Sequence, residues 1–442
     1  SDYFPQADAL SPTKHMQHVE RTFAYSYNQL NGNDFIDRLT KTLIAHAACF
    51  APGEVISRSL LLKTLAEENE VEDWQMENGL QRLVDLGLLE EATEGSLRLH
   101  RLVAYFVTNV NIELFHEAQY AVENTLVKFL EYYNEQMLLI WDQSTLIHIR
   151  YVTNTSRART DKNTGTLCHQ FGRYLYVLKN YAEAEEYLRI SLNIREQMLG
   201  KTHLDTASVL TSLGSLLLEI GHSTEALDCL QRSFLIREDN LGLNDALTAY
   251  SLYTLGQFYS NQRELKLAQY YFNRTLEIRQ FVLGRDHPAI AESLISLGVL
   301  AREEGKFSKA REYFDQALHL FLTSHKEDHP LVGDINNHIG WLLVEQGSLT
   351  EAYHYLKQAL SIRATTFGEY SLQNADSQTR FGWLLTQQGH FDEAKPYLIT
   401  ALNIKKELLG EEHLETISGV EHLGNFYLYQ DDFDMAQHYF EK

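Results

Sequence analysis

The sequence predicts an all-α protein in which a right-handed superhelix of stacked helix-turn-helix units follows a small domain of short helices closed by a hairpin. Three observations predict it. A glycine recurs at intervals of 42 residues, seven times and without an insertion. An alanine follows each glycine by twelve residues, and a leucine or phenylalanine follows each alanine by four. The first hundred residues do not share this period, and their apolar spacing changes from short helices to a hairpin.

At 442 residues and 44% hydrophobic content the chain has enough material for two or more domains. No uninterrupted apolar run of about 18 residues is present, and the start, SDYFPQADAL, has neither a methionine nor a basic-then-apolar leader, so the expected location is cytoplasmic. Cys49, Cys168 and Cys229 lie far apart in sequence with no metal-binding spacing, which fits small core residues in a reducing compartment. Sixty acids against 38 Lys and Arg leave a formal charge of −22, which disfavours nucleic acid and anionic membrane and favours a basic or neutral protein or peptide partner. The final residues, FDMAQHYFEK, stop inside a helix that earlier copies continue, so a piece of a longer protein with a truncated last repeat is expected.

The anchor glycines are Gly172, Gly214, Gly256, Gly298, Gly340, Gly382 and Gly424; the alanines run from Ala184 to Ala436; and the larger residues are Leu188, Leu230, Phe272, Phe314, Leu356, Leu398 and Phe440. Glycine and alanine let two helices approach closely, and the larger side chain one turn on fills the space between them. Gly221, Gly305, Gly347 and Gly389 fall between the paired helices, where a left-handed C-cap is expected. One such pair cannot bury its apolar face alone, so neighbours must stack into a superhelix with one concave face.

These Gly, Ala and aromatic offsets match the tetratricopeptide repeat pattern, with a period longer than the basic unit of about 34 residues. The stretch RQFVLGRDHPAIAESLISLGVLAREEGKFSKAREYFDQALHL closely resembles the repeats of kinesin light chains and of bacterial and fungal signalling proteins. The resemblance covers residues 167–442, seven repeats. An LGxxH element joins repeats at Gly200 to His203, Gly284 to His287 and Gly410 to His413, whereas Lys326 replaces its glycine and Ser371 its histidine.

Residues 1–18 read as a linker and 19–112 as a winged-helix domain. ERTFAYSYNQL and FIDRLTKTLIAHAACF are amphipathic, with Asn33 or Asp34 as the N-cap between them. A helix from Trp74 to Leu86 then leads through Gly87 to Leu88–Glu90, a turn at Glu94 and Gly95, and a return strand Leu97–His100. Between Glu20 and Arg101 fourteen acids outnumber eight bases, and the helix that would enter a DNA groove begins Glu72, Asp73, so nucleic acid is excluded as its partner. Residues 113–166 lack the anchors and read as degenerate capping helices followed by a polar loop, RYVTNTSRARTDKNTG.

An acidic winged helix directly before such repeats resembles the arrangement in STAND-class, NLR-like signalling ATPases. The segment LRLHRLV stands where that family carries its Met-His-Asp motif, with Leu99 and Arg101 at the flanking positions and Arg101 departing from the acidic residue. The resemblance implies that His100 contacts the β-phosphate of a nucleotide, ADP or ATP, in the full-length protein, with the hydrolytic module lying outside this chain, and that activation drives oligomerisation. The residues themselves equally allow His100 merely to cap the hairpin at the helix junction.

Catalytic constellations are not expected in this chain. Gly200-Lys201-Thr202 resembles the end of a phosphate-binding loop, but Arg195 stands where the motif requires glycine. His203, His287, His329 and His413 recur about one repeat apart instead of converging, so they fit caps and not a metal site.

Taking the anchor glycine as the core-facing mark places Arg173, Tyr176, Tyr250, Tyr253, Gln257, Asn261, Arg302, Asn337, Trp341, Glu345, Thr379, Trp383 and Gln387 in the groove, with Glu292, Glu303, Asp334 and Asp376 among them. Trp341 and Trp383 are equivalent neighbours suited to anchoring a peptide. The function this implies is the ligand-sensing, protein-binding region of a STAND-type signal-transduction ATPase. The alternative is a constitutive scaffold or cargo adaptor resembling kinesin light chain.

Overall fold

The computed structural model describes residues 14–65, 71–92, 95–135, 143–324, 328–411 and 413–441. Residues 1–13 of the expected linker, Glu94 of the expected turn and Lys326 lie outside the described residues. The chain divides into two compact units. One comprises Ser1–Gln136, Ile140–Tyr174 and Glu186–Met198; the other comprises Met137–Leu139, Leu175–Glu185 and Leu199–Lys442.

In the first unit α1 (Lys14–Asn28) and α2 (Phe35–Cys49) are followed by β1 (Val55–Ser57), α3 (Arg58–Lys63), α4 (Asp73–Asp85), β2 (Glu90–Glu91) and β3 (Ser96–Arg98). Asp34 is the N-cap of α2, its Oδ1 accepting from the Asp37 N–H at 2.9 Å. The three strands form an antiparallel sheet in the order β1-β3-β2, with Arg98 opposite both Val55 and Glu90. β1 was not expected, because three residues before a helix carry no visible alternation; Ile56 is fully buried and sets its register. Leu43, Ile44, Leu61 and Leu83 complete this small core.

Three helices follow: α5 (Arg101–Val110), α6 (Ile112–Glu135) and α7 (Gln143–Ser156). The expected loop over residues 150–165 is mostly helical, because α7 runs to Ser156 and α8 (Lys162–Val177) begins six residues later. Ile149 and Val152 are buried, and Thr153 and Ser156 bond backbone carbonyls one turn back, so apolar burial overrides the weak helix propensity of the Thr and Asn residues. No helix among the described residues is long and apolar enough to cross a membrane.

After α9 (Tyr181–Leu199) the second unit stacks six hairpins: α10 (Leu204–Glu219) with α11 (Ser223–Leu241), α12 (Ala246–Asn261) with α13 (Leu265–Leu283), α14 (Pro288–Glu303) with α15 (Phe307–Ser324), α16 (Pro330–Glu345) with α17 (Leu349–Phe367), α18 (Leu372–Gln387) with α19 (Phe391–Leu409), and α20 (Leu414–Tyr429) with α21 (Phe433–Phe440). The result is an all-α superhelical repeat fold. A Cβ at Gly298 would sit 2.5 Å from the Phe314 ring, and one at Gly340 2.5 Å from Leu356, which is why glycine anchors each pair. The inter-helix turn demands a left-handed residue at every copy. Gly221, Gly305, Gly347 and Gly389 supply it, and Lys179, Arg263 and Asp431 adopt the same conformation without being glycine.

The recurring histidines are N-caps. Nδ1 of His203, His287, His329 and His413 accepts the N–H two residues on, at 3.1 to 3.2 Å. Where the histidine is missing, Asp245 and Ser371 cap instead.

A second periodic device recurs at three of the junctions between hairpins. Nη1 of Arg237 donates to Leu247 O and Ser251 Oγ, that of Arg279 to Ala289 O and Ser293 Oγ, and that of Arg363 to Gln373 O and Ser377 Oγ. Between α15 and α16 the arginine is Phe321 and the serine is Ile335, both buried, so an apolar pair replaces a polar one at the same register, and between α19 and α20 the positions are Lys405 and Gly419.

Candidate functional site

The first helices of successive hairpins, α10, α12, α14, α16, α18 and α20, pack against one another along the inner curve of the second unit. Side chains one residue after and two residues before each anchor glycine therefore line a common groove.

From α16 to α20 this groove is aromatic and charged. Trp341 lies under the Arg380 guanidinium, 5.6 Å from the ring centre, and 6.3 Å from the His422 ring. Trp383 meets His422 edge-on at 5.8 Å and Tyr429 at 5.4 Å. Both tryptophans are half-buried, and with His422 and Tyr429 they span three consecutive hairpins. Such edge-on and cation–π contacts fix ring orientation while leaving part of each ring for another partner.

Beneath them runs an ion network. Arg363 donates to Asp334 Oδ1 at 2.8 Å and to Asp376 Oδ2 at 3.1 Å; Asn337 Nδ2 reaches Asp376 at 3.0 Å; Arg380 Nε lies 3.5 Å from the same carboxylate. Enclosure opposes ionisation of Asp376, yet Arg380, Arg363 and Lys405 outweigh it and hold its carboxyl well below the usual range. The same enclosure, reinforced by Arg380, pushes His338 down to about 3, so it is neutral at pH 7. Two guanidinium groups and Lys405 against two carboxylates leave this floor near charge balance.

The other end of the groove is a hollow of about 310 Å³ lined by Tyr176, Glu219, Gln257, Asn261, Ser296 and His338, among others. Tyr250 stacks on Tyr253 at 6.4 Å, and Arg279 covers the Tyr253 ring at 4.8 Å. Burial pushes the Tyr253 hydroxyl up to about 12, with Glu292 adding to it, and that hydroxyl accepts from Ser296 Oγ at 3.2 Å.

Of the sequence-derived positions, Tyr176, Gln257 and Asn261 line the hollow and Trp341 and Trp383 belong to the aromatic row. Tyr250, Gln257 and Asn261 are exposed; Tyr176, Tyr253, Trp341, Trp383 and Gln387 are half-buried. Arg302 pairs with Glu345 at 2.7 Å. Asn337 and Thr379 are instead buried at 1% and 4%: Asn337 is consumed by Asp376, and Thr379 bonds Ala375 O in its own helix. Arg173 lies in the first unit, where it donates to Gln170. His338, Arg380 and His422 were missed. They recur two residues before the anchor, a register whose other copies are Gln170, Ser212, Thr254 and Ser296, and the change to His and Arg in the last three repeats was the available signal.

In the first unit, His100 is the N-cap of α5, its Nδ1 accepting from Leu102 N–H at 3.2 Å. Arg101 packs against Gly53, donates to Pro52 O and borders a separate hollow of about 670 Å³ with Tyr105, Arg150 and Tyr151.

The tetratricopeptide repeat family profile matches residues 154–239, 245–323 and 331–407, more than half of the chain. The chain belongs to the tetratricopeptide repeat family. Its repeats are interaction modules by class, and the first matched segment begins at residue 154, upstream of the first regular anchor glycine. No curated protein matches the chain. Among solved structures, the chain is similar to a Rap protein complexed with competence and sporulation factor, at 11% identity and a TM-score of 0.57 over 95% of this chain and 96% of that one. It is also similar to a STAND protein with a tetratricopeptide repeat sensor from Pyrococcus horikoshii, at 14% identity and 0.48 over 98% and 66% respectively. The nearly identical repeats of a protein described as a kinesin light chain, from Podosopora anserina, match at 19% identity and 0.38 over 48% and 98%.

Proposed function

We propose that this tetratricopeptide repeat chain is the sensor part of a STAND-type signalling protein, and that its inner groove binds a protein or peptide trigger. The observation that carries the binding reading is the aromatic row Trp341, Trp383 and Tyr429, set at the groove surface on three successive inner helices over a charge-balanced floor. Clustered tryptophans beside arginine are where binding energy concentrates in interfaces. The sensor reading is supported by the order α2-β1-α3-α4-β2-β3 with its three-stranded sheet, the order of elements in a winged helix, and by the resemblance of LRLHRLV to the Met-His-Asp segment.

In this reading the trigger prefers one of two arrangements of the full-length protein and shifts the balance between them. His100 then has two duties, capping α5 and facing a nucleotide with its remaining ring nitrogen.

A displayed peptide library selected against the chain tests the groove. Trp341→Ala and Trp383→Ala should each weaken a selected peptide at least ten-fold, while Phe281→Ala, exposed on the outer helix α13, should leave its affinity unchanged. The reverse pattern sinks the groove reading. The coding sequence upstream of Ser1 tests the sensor reading: a phosphate-binding loop and a downstream acidic motif support it, and a heptad-rich coiled coil replaces it with the adaptor.

A further inference from the structure

The second unit comes round in one turn. Lys179, in the turn before α9, brings its Nζ to 4.0 Å from Glu415 Oε1 at the start of α20, six repeats later. Its ammonium also lies 5.7 Å from the centre of the Tyr181 ring. Lys179 holds a left-handed backbone conformation, φ 61°, at the register where four other repeats use glycine. Burial opposes its charge, but Tyr181, Glu219 and Glu415 outweigh it and raise the ammonium above its ordinary range. Glu219 in turn belongs to the wall of the 310 Å³ hollow, with Tyr176 and the free amides of Gln257 and Asn261.

We propose that this hollow takes a short extended peptide whose lysine or arginine side chain displaces Lys179 from Glu219 and Glu415, so that ligand entry releases the contact that joins the first and seventh repeats. This rests on the reading of the groove as a peptide site and names its ligand's chemistry. The chain's own lysine occupies the place of the ligand's cation. The Glu415 carboxylate and the Tyr181 ring already hold an ammonium beside the hollow, Glu219 on its wall adds negative charge, and the whole chain, at −22, favours a cationic partner. The amides of Gln257 and Asn261 offer both donors and acceptors to a peptide backbone, which an extended segment exposes and a helix does not. A 4.0 Å ion pair between side chains that are 27% and 40% exposed is weak enough to be exchanged.

The test uses the 442-residue chain and fluorescein-labelled pentapeptides of alanine carrying lysine, norleucine or glutamate at the centre, read by fluorescence anisotropy. The lysine peptide should bind at least ten-fold more tightly than the norleucine peptide and the glutamate peptide not at all. Lys179→Gln should tighten the lysine peptide several-fold by removing the competitor, and Glu219→Gln should weaken it at least five-fold. Spin labels at Asn180→Cys and Glu411→Cys should move apart when the lysine peptide binds, and in Lys179→Glu without peptide. Equal binding of the lysine and norleucine peptides, including none by either, overturns the proposal, as does a Lys179→Gln variant that binds no more tightly than the parent. If that happens while a library-selected peptide still depends on Trp341 and Trp383, the groove remains the binding site and only this account of its ligand falls.

Discussion

The two units are fastened by different kinds of polar tie. In the first, each tie occurs once: Glu123, 2% exposed, is held by the Arg159 guanidinium at 2.6 Å; His148 accepts from Ala51 N–H at 3.1 Å and reaches Val55 O at 2.9 Å; His46 bonds Thr64 Oγ1 at 2.8 Å. In the second, one tie is copied, an arginine reaching the carbonyl ten residues on and the serine hydroxyl fourteen on. A unique tie makes its neighbourhood depend on one pair. A repeated tie spreads the same role over several junctions, and one junction can replace it with apolar packing if both partners change together.

The largest expected effect probes the unique tie. Arg159→Met leaves the Glu123 carboxylate buried without its partner and should cost about 3 kcal/mol, the low end of the range for a broken buried pair because Arg159 is partly exposed. Urea denaturation reads it. Arg237→Met, whose partners are neutral, should cost about 1–2 kcal/mol. Equal losses would mean that copying the tie gives no tolerance.

Next comes the exceptional junction. Phe321→Arg alone buries a charge against Ile335 and should cost about 3 kcal/mol or more. Adding Ile335→Ser recreates the partner present at the three arginine junctions and should recover at least half of that loss in a double-mutant cycle. An additive pair would show that the arginine tie depends on more than these two positions.

Acid should affect both units. Burial lowers His46 to about 4 in the first unit, and burial with Arg380 lowers His338 to about 3 in the second. With unfolded values near 6.5, the unfolded chain binds protons that the folded chain refuses. The stability due to each neutral ring is therefore complete above about pH 6.5 and is lost on acidification, down to about pH 4 for His46 and about pH 3 for His338. Each histidine contributes a slope of roughly 1.4 kcal/mol per pH unit within its window. His46→Asn and His338→Asn should each flatten the stability-versus-pH curve between pH 6 and 4.5, and an unchanged slope would refute the assignment. Asp376, held ionised by Arg380 and Arg363, acts in the same direction at lower pH, its contribution being lost as pH falls below the usual carboxylate range.

The smallest effect compares equivalent caps. His287→Ala and His100→Ala each remove one side-chain acceptor at a helix start and should each cost about 1 kcal/mol. If His100→Ala costs no stability but abolishes nucleotide-dependent behaviour in the full-length protein, its second duty is the one that matters.

Much of this was legible because it repeats. Seven glycine anchors fix the helix pairs, and the arginine register at 237, 279 and 363 stands in the sequence beside them, visible once the copies are aligned. The polar run at 150–165 misled because Thr and Asn weigh against helix locally, while Ile149 and Val152 bury anyway. Groove direction was read to within one helix phase. That error turned Asn337 and Thr379 outward and left His338, Arg380 and His422 out of the groove.

By itself the sequence determined the repeat, its period, its caps and the acidic character of the chain, because each is a local consequence of residue size and charge at a fixed spacing. Only the tertiary structure decided that Asp376 joins Arg363 to Arg380, and that Lys179 meets Glu415. Those contacts depend on the small rotation from each hairpin to the next, which side-chain packing at every junction sets and which accumulates over the turn.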